Sequence, residues 1–143
     1  HADADCWMLL VNDLCRQVVV TKRMVLRSSG LQLRDFITLS DVCSAVKHLL
    51  ELPSPDLNDG LYNVGGNAAR VIDMAEMIQA RCSKVLGFRP KIAYKDSIEK
   101  GDGSSLEYCT NKLLATGFFI KNDRLSEIDE TLYFCNEFFE DVL

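Results

Sequence analysis

The strongest structural signal in this chain is the run Gly30-Leu31-Gln32-Leu33-Arg34-Asp35-Phe36-Ile37-Thr38-Leu39-Ser40-Asp41-Val42. It predicts a turn at the glycine, a short strand over residues 33–38, and a helix that Ser40 or Asp41 can cap. Arg34 lies within the predicted strand. A guanidinium held on a strand suits an anionic ligand, because its planar fork can donate to two phosphate oxygens at once. The run therefore predicts a binding position for an anion.

The composition is that of one ordinary globular domain. The 143 residues are 48% apolar and 26% charged, which is sufficient for a buried core. The formal net charge of -5 argues against a nucleic acid or an anionic membrane surface as partner, since both favour a basic face. No apolar run is long enough to span a bilayer, and no signal-peptide pattern opens the chain. We therefore expect a cytoplasmic protein.

The cysteines show no metal-binding spacing. None stands in a Cys-x-x-Cys pair and neither histidine lies near a cysteine cluster, so no metal site is predicted. Their even number leaves disulfides open, but most of them fall on apolar helix positions, where a free thiol packs as a small hydrophobe. We therefore expect reduced thiols, as in the cytoplasm. The cysteines are Cys6, Cys15, Cys43, Cys82, Cys109 and Cys135.

Apolar periodicity predicts a mixed α/β domain with short strands and three to four helices. The predicted helices are 6–18, about 40 to Pro53, 71–86 and about 124 to the end, with a helical turn at 110–115. β-Rich or alternating runs that end at glycine or proline turns indicate strands. The predicted strands are 19–20, 24–26, 33–38, 61–64, 91–94 and 104–108.

Three ordered segments resemble the extended short-chain dehydrogenases that epimerise or dehydrate nucleotide sugars. The first is the 30–42 run, which is similar to the family's Gly-x-x-x-Arg-Asp-(Phe/Tyr)-Ile-x-(Val/Leu)-x-Asp-Val. The second is Tyr62-Asn63-Val64-Gly65-Gly66, which resembles a Tyr-Asn-(Val/Ile/Leu)-Gly segment that ends a strand. The third runs from Gly101 to Phe118. The resemblance rests on these three segments and extends over nearly the whole chain, from about residue 8 to 140.

The resemblance implies a nucleotide-sugar substrate whose diphosphate contacts Arg34. The segment from Lys100 to Asp102 lies where the family shows Arg-x-Gly-Asp, so Lys100 and Asp102 are implied to help bind the diphosphate and ribose. Two positions depart from the family: Glu99 stands in place of its arginine and Cys109 in place of an aspartate. These departures keep a second interpretation open, a stand-alone module that binds a nucleotide or a protein and does no chemistry.

The other matched residues are expected to be structural. Asp35 suits a turn partner and Asp41 a helix cap. Asn63 can bond backbone groups of a neighbouring loop, and Gly65 permits close packing of the backbone. The predicted structural residues are Gly30, Asp35, Phe36, Asp41, Tyr62, Asn63 and Gly65.

The family's cofactor-binding and proton-transfer residues lie upstream of the matched region. A dinucleotide-binding fingerprint needs Gly-x-Gly-x-x-Gly or a relative between a strand and a helix, and no such spacing occurs in this sequence. The resemblance therefore implies the C-terminal, substrate-binding portion of an enzyme that uses NAD or NADP, with an N-terminal cofactor domain missing. We expect no catalytic residue, no bound cofactor and no activity in this chain alone.

Two further patterns receive structural interpretations. Tyr108 and Lys112 have the Tyr-x-x-x-Lys spacing of a short-chain dehydrogenase active site, but they straddle a predicted strand-to-turn junction rather than a long helix. We therefore interpret them as non-catalytic. Glu127, Asp129 and Glu130 are expected to form a solvated face in the first turns of the last helix.

Overall fold

The computed structural model describes residues 2–57, 59–99 and 108–140. Within these ranges the mixed α/β fold is confirmed, and four of the α-helices exceed one turn. A short 3₁₀ helix, Ser54–Leu57, follows the second α-helix. The elements in chain order are α1 (Leu10–Thr21), β1 (Arg23–Ser28), β2 (Leu33–Phe36), α2 (Leu39–Glu51), β3 (Asn67–Arg70), α3 (Val71–Val85), β4 (Lys91–Glu99), α4 (Asn111–Leu114) and α5 (Arg124–Phe139).

The described strands form two separate pairs. β1 runs parallel to β4, with Met24 opposite Ile92. β2 runs antiparallel to β3, with Phe36 opposite Asn67 at one end of the ladder. Strand β2 lies within the 30–42 run. The backbone position of Arg34 therefore depends on a ladder of only four residue pairs.

The core lies where α1, α3 and α5 pack together against β1. Each helix contributes an apolar stripe at helical spacing, which is why these helices form and dock. Fully burying one such aliphatic side chain stabilises the fold by roughly 1.5–3 kcal/mol. A smaller cluster of Ala45, Leu113 and Phe118 joins α2 to α4. The main-core residues with the least exposure are Leu14, Cys15, Val18, Met24, Ala75, Ile78, Cys82, Leu132 and Cys135.

The prediction that residues 19–20 form a strand is wrong. α1 begins at Leu10, later than predicted, and continues to Thr21. Val19 is buried on the same stripe as Leu14, so packing outweighs the β-propensity of the valines. Lys22 caps the C-terminus of the helix with a left-handed φ of 57°, and β1 follows directly.

The predicted strand at 61–64 is also absent, since these residues form an irregular segment. Tyr62 and Val64 instead pack against the small cluster beside α2. The strand that pairs with β2 begins after the two glycines, at Asn67. Alternating burial in a half-buried loop therefore produced a strand-like pattern. Residues 104–107 of the predicted 104–108 strand lie outside the described ranges, and Tyr108 is irregular.

The cap of α2 is Thr38 rather than Ser40 or Asp41. Thr38 Oγ1 accepts a hydrogen bond from the Asp41 backbone N–H at 3.1 Å. It also donates to Asp41 Oδ2 at 2.7 Å. Asp41 is therefore inside the first turn, where it is buried. The helix starts earlier than predicted because the threonine, in extended conformation, meets the capping requirement first.

The buried Asp41 carboxylate joins the start of α2 to the segment before α5. It accepts hydrogen bonds from the backbone N–H groups of Lys121 and Asn122, each at 2.9 Å. Burial alone would raise the pKa of Asp41, but the hydrogen bonds from Thr38 and the two backbone groups outweigh it and hold the pKa below its usual value.

The expected solvated face of α5 is only partly right. Glu127 accepts hydrogen bonds from the backbone N–H groups of Leu39 and Ser40 at 2.8 and 2.7 Å. It thus supplies the carboxylate that the N-terminus of α2 favours. Asp129 accepts a hydrogen bond from Arg81 Nε at 2.6 Å and so ties α5 to α3. Glu130 is exposed, as expected.

Asp41→Asn is expected to lower the free energy of unfolding by about 2 kcal/mol near neutral pH, because an amide cannot accept from every donor around it. The folded-state pKa is depressed. The carboxylate's contribution is therefore present above the unfolded-state pKa of about 4 and is lost as pH falls through the lower folded-state value. Urea denaturation near pH 7 and below about pH 3 measures this difference. Ser44→Ala, on the exposed side of α2, is the control. A deficit in Asp41→Asn that is the same at both pH values would contradict the assignment.

Candidate ligand-binding site

Arg34 is the second residue of β2 and lies opposite Ala69 of β3. Its side chain is exposed, and its Nη1 donates to the carbonyl of Leu33 at 3.2 Å. No acidic side chain pairs with it within the described part of the chain. The backbone of this arginine is therefore held by a ladder, while most of its donors remain available to a ligand.

Arg34 lines a cleft of about 700 Å³ between the start of α1, the end of β1 and β2. We call this the Arg34 cleft. Its α1 side is largely apolar and includes Met8, Leu9 and Val11. Its strand side carries the polar groups of Arg27 and Gln32 beside Arg34. An apolar wall facing a few polar groups is the usual composition of a small-molecule site.

Sequence reasoning missed two polar residues of this cleft. Gln32 donates from Nε2 to Ser28 Oγ at 2.6 Å, while its Oε1 is buried and has no hydrogen-bond partner among the described residues. Arg27 is the next-to-last residue of β1, just before the Gly30 turn, and its side chain is largely exposed. The sequence does contain one arginine on each side of the Gly30 turn. It does not show that both arginines lie in the same cleft, because this depends on where α1 packs.

Asp35 acts on the backbone that supports the cleft. Its Oδ2 accepts a hydrogen bond from the Gly66 N–H at 2.9 Å. The carboxylate therefore holds the loop that precedes β3 against β2. Asp35 is therefore a positioning residue beside Arg34, and its carboxylate also lines the cleft.

Two glycines next to Asp35 are required by space. A Cβ on Gly66 would lie 1.8 Å from the Phe36 carbonyl oxygen, a distance that no side chain can occupy. A Cβ on Gly65 would lie 2.4 Å from the ring of Tyr108. The absence of a side chain at Gly66 lets the loop approach the end of β2 closely, and at Gly65 it leaves room for the Tyr108 ring.

Arg124, the first residue of α5, clamps the end of the same ladder. Its Nη2 donates to the carbonyl of Phe36 at 3.1 Å and also to the carbonyl of Asn67. Phe36 and Asn67 are register partners, so one guanidinium bonds both strands at their last pair. Burial lowers the pKa of Arg124, and the Asp35 carboxylate partly opposes this shift. Its guanidinium also lies 5.8 Å from the centre of the Phe36 ring.

The other predicted structural residues lie near this support. Gly30 has a φ of 75°, and its carbonyl accepts from the Ile72 N–H at 2.9 Å, which links the turn to α3. Tyr62 donates from its hydroxyl to the carbonyl of Leu57 at 3.1 Å. Asn63 donates from Nδ2 to the carbonyl of Cys109 at 3.1 Å. None of these three contacts points to a ligand.

A larger cavity, of about 910 Å³, lies between the N-terminal segment, the start of α2 and α5. Two of its three charged groups, Glu127 and Arg124, are bonded to the backbone, and the third, Glu130, is an exposed carboxylate that would repel an anion. Glu127 accepts three hydrogen bonds from Leu39 and Ser40, and Arg124 bonds the strand ends as described. The Arg34 cleft is smaller, but its cations are available, so it is the better candidate for an anionic ligand.

Two predicted binding residues fall in a part of the chain that the structure does not describe. Lys100 and Asp102 lie outside the described residues. Glu99, which stands where the family shows an arginine, is the last residue of β4 and is in register with Ser28 of β1. This register brings the end of β4 beside the strand that leads to the cleft.

The Tyr-x-x-x-Lys spacing does not form a paired site. Tyr108 lies in an irregular segment, whereas Lys112 is in the single turn of α4. The Lys112 ammonium donates to the carbonyl of Leu61 at 2.7 Å and to the Asp59 carboxylate. It also lies over the ring of Tyr62, at 4.7 Å from the ring centre. Its charge is therefore committed to the 59–62 segment and not to the phenol of Tyr108.

The described ranges show no metal centre, and their buried thiols are unreactive. They contain no group of three or more His, Cys, Asp or Glu side chains arranged to hold a metal ion. Burial raises the pKa of Cys82 to about 11 and that of Cys135 to about 12, so both are protonated and inert at neutral pH. None of the helices in the described parts is both long and apolar enough to cross a bilayer.

The described residues do not form a cradle for NAD or NADP. Such a cradle needs a glycine-rich loop between a strand and a helix, with backbone N–H groups open to phosphate. The adjacent glycines here precede a strand, and the space over Gly66 is filled by the Phe36 carbonyl. The N–H of Gly66 is bonded to Asp35. The described residues therefore provide no phosphate-binding loop for a nicotinamide cofactor.

Comparison with known proteins shows the fold. No family model and no curated protein matches the sequence. Among solved structures, the chain is similar to RMD from Pseudomonas aeruginosa, solved in complex with NADPH. The TM-score is 0.69 at 17% identity, and the match covers 92% of this chain and 43% of the RMD chain. The chain thus spans less than half the length of that structure, and the likeness at this identity concerns the fold.

Gly66→Ala is expected to destabilise the fold by about 3 kcal/mol or more, because the new methyl group must displace the end of β2. Thermal unfolding measures the loss. The matched control is Gly60→Ala, where φ is 72° but no atom lies within 4 Å of the new methyl group. This control should cost only about 1–2 kcal/mol of backbone strain. Equal losses in the two variants would show that the Phe36 contact is unimportant.

Proposed function

We propose that this chain binds the diphosphate of a nucleotide sugar in the Arg34 cleft. It would do so as the substrate-binding part of an NAD(P)-dependent enzyme that epimerises, dehydrates or reduces the sugar. The observation that carries the proposal is the uncommitted guanidinium of Arg34, held by a short ladder at the edge of a cleft with an apolar wall. Its fork can donate to two oxygens of a diphosphate.

The fold similarity to RMD supports the enzyme class. RMD was solved with NADPH, and the matched region is 43% of its chain. The resemblance of the 30–42 run to the epimerase and dehydratase family supports it independently. We propose that the cofactor is held by a separate domain, which is this chain's partner, and that these residues have no activity without it.

The residues of this chain would bind and orient the substrate. Arg34 would hold the diphosphate, and the apolar α1 side of the cleft would cover the uncharged part of the nucleotide. Asp35 would keep the strand in place through Gly66. Lys100 and Asp102 remain proposed helpers at the diphosphate and ribose. The nicotinamide would supply the hydride chemistry when bound, and this chain would set which sugar carbon faces it.

The proposed compartment is the cytoplasm. None of the six cysteines forms a disulfide in the structure, and the three most buried of them have raised pKa values. Such thiols pack as apolar groups and gain nothing from an oxidising environment. A nucleotide-sugar enzyme that uses NAD or NADP is consistent with that compartment.

Arg34→Ala should weaken the binding of UDP and GDP to the intact protein. We expect a loss of about 30-fold, equivalent to about 2 kcal/mol, for one charge-assisted fork. Arg34→Lys should recover part of the affinity, since lysine restores the charge without the fork. Isothermal titration calorimetry measures the change. The control is Arg23→Ala, since Arg23 is also exposed but lies at the far end of β1 and lines neither described cavity.

Two outcomes would reject the proposal. One is diphosphate binding that Arg34→Ala leaves unchanged. The other is a wild-type protein that binds another protein but gives no heat with any nucleotide, which would support the stand-alone module instead. Glu99 and Cys109, which differ from the family's residues at these positions, favour that alternative.

A further inference from the structure

We propose that Arg27 is a second phosphate-binding residue of the Arg34 cleft, and that the pair of arginines makes the cleft prefer nucleoside diphosphates to monophosphates. This inference rests on the proposed function, since it takes a nucleotide as the ligand. It adds a residue that the family resemblance does not assign and a selectivity that one arginine would not provide.

The placement of Arg27 supports this role. It lies in β1, on the strand that enters the Gly30 turn, while Arg34 lies in β2, on the strand that leaves it. Both side chains line the same cleft of about 700 Å³. The Arg27 side chain is 82% exposed, so its long stem can move toward a ligand at little cost in packing.

The present partner of Arg27 is weak and easily exchanged. Arg27 Nη2 lies 3.9 Å from Asp13 Oδ2, beyond the distance of a good hydrogen bond. Exposed pairs of this kind contribute little to stability. Asp13 also lines the cleft, so the pair holds Arg27 close to the ligand position when no ligand is bound.

Asp13 itself is held in place. Its Oδ2 accepts a hydrogen bond from Gln17 Nε2 at 2.9 Å, and Gln17 Oε1 accepts from the Val25 N–H at 2.8 Å. This chain of bonds ties the carboxylate to β1 as well as to α1. Asp13 therefore competes with an anionic ligand for Arg27 from a nearly constant position, and Arg27 is the member of the pair that can move.

The charges of the cleft explain the expected selectivity. Arg27 and Arg34 provide two positive charges, and the carboxylates that line the cleft are Asp13 and Asp35. Asp35 is bonded to Gly66, and Asp13 is the competitor described above. One guanidinium fork suits one phosphate, so a monophosphate can be bound by Arg34 without Arg27. A diphosphate presents a second anionic group, which gains the second guanidinium.

The test compares UDP with UMP, and GDP with GMP, by calorimetry on the intact protein. Arg27→Ala should weaken diphosphate binding by about tenfold and change monophosphate binding by no more than about twofold. Asp13→Asn should strengthen diphosphate binding by about threefold, because it removes the competing charge and keeps an acceptor for Gln17. Arg23→Ala is the control for a general loss of positive charge.

The outcomes separate this inference from the proposed function. If Arg34→Ala weakens binding and Arg27→Ala does not, the inference is overturned and the proposed function stands. Equal losses for the two ligand classes in Arg27→Ala, or an unchanged affinity in Asp13→Asn, also overturn it. Asp13→Asn predicts a gain, so the test does not depend on whether Arg27→Ala folds normally. If the wild-type protein binds none of the four nucleotides, both are overturned.

Discussion

The approach of Gly66 to the Phe36 carbonyl determines where the arginine of β2 can be. A Cβ at this glycine would lie 1.8 Å from the carbonyl oxygen, so β2 and the loop before β3 pack more closely than any side chain would permit. Asp35 bonds the glycine N–H, and Arg124 bonds the carbonyl oxygens on both strands. A ladder of four residues is marginal by itself, and these contacts are what hold it.

The same contacts distinguish the charged side chains that hold the fold together from one that remains free to bind a ligand. Arg124, Glu127 and Asp41 are all committed to backbone groups, and together they join α5 and the segment before it to β2 and the start of α2. Arg124 and Glu127 line the larger cavity, where their backbone bonds hold them in place and Glu130 adds a second carboxylate, so that cavity suits an anion poorly. Arg34, on the same strand as Phe36, carries a charge that nothing in the described fold neutralises. We take this contrast as the physical basis for assigning binding to the smaller cleft.

The sequence predicted the long helices and β2 well because each carries a complete local signal. α3 and α5 have continuous apolar stripes, and β2 follows a glycine with the required left-handed φ. The errors came where local and tertiary preferences disagree. Val19 and Val20 favour a strand in isolation but continue α1, since Val19 lies on the buried face of that helix. Residues 61–64 alternate in burial without a partner strand.

Long-range contacts could not be predicted from the sequence. The sequence predicted a structural Asp41 from its local cap pattern. Its backbone partners before α5 are 80 residues away and those of Glu127 nearly 90, so no spacing rule shows what either carboxylate contacts across the fold. The predicted anion position at Arg34 follows from a local motif, whereas the contributions of Arg27 and Gln32 to the cleft require knowing where α1 lies. Lys100 and Asp102 stay predictions, because they fall outside the described residues.

Hydrogen–deuterium exchange of the intact protein, with and without a saturating nucleoside diphosphate, would locate the ligand. The account predicts slower exchange in peptides that cover residues 8–14 and 25–37, which form the walls of the Arg34 cleft, and no change in α4. Protection confined to the larger cavity, around the start of α2 and α5, or no protection anywhere in these residues, would contradict it.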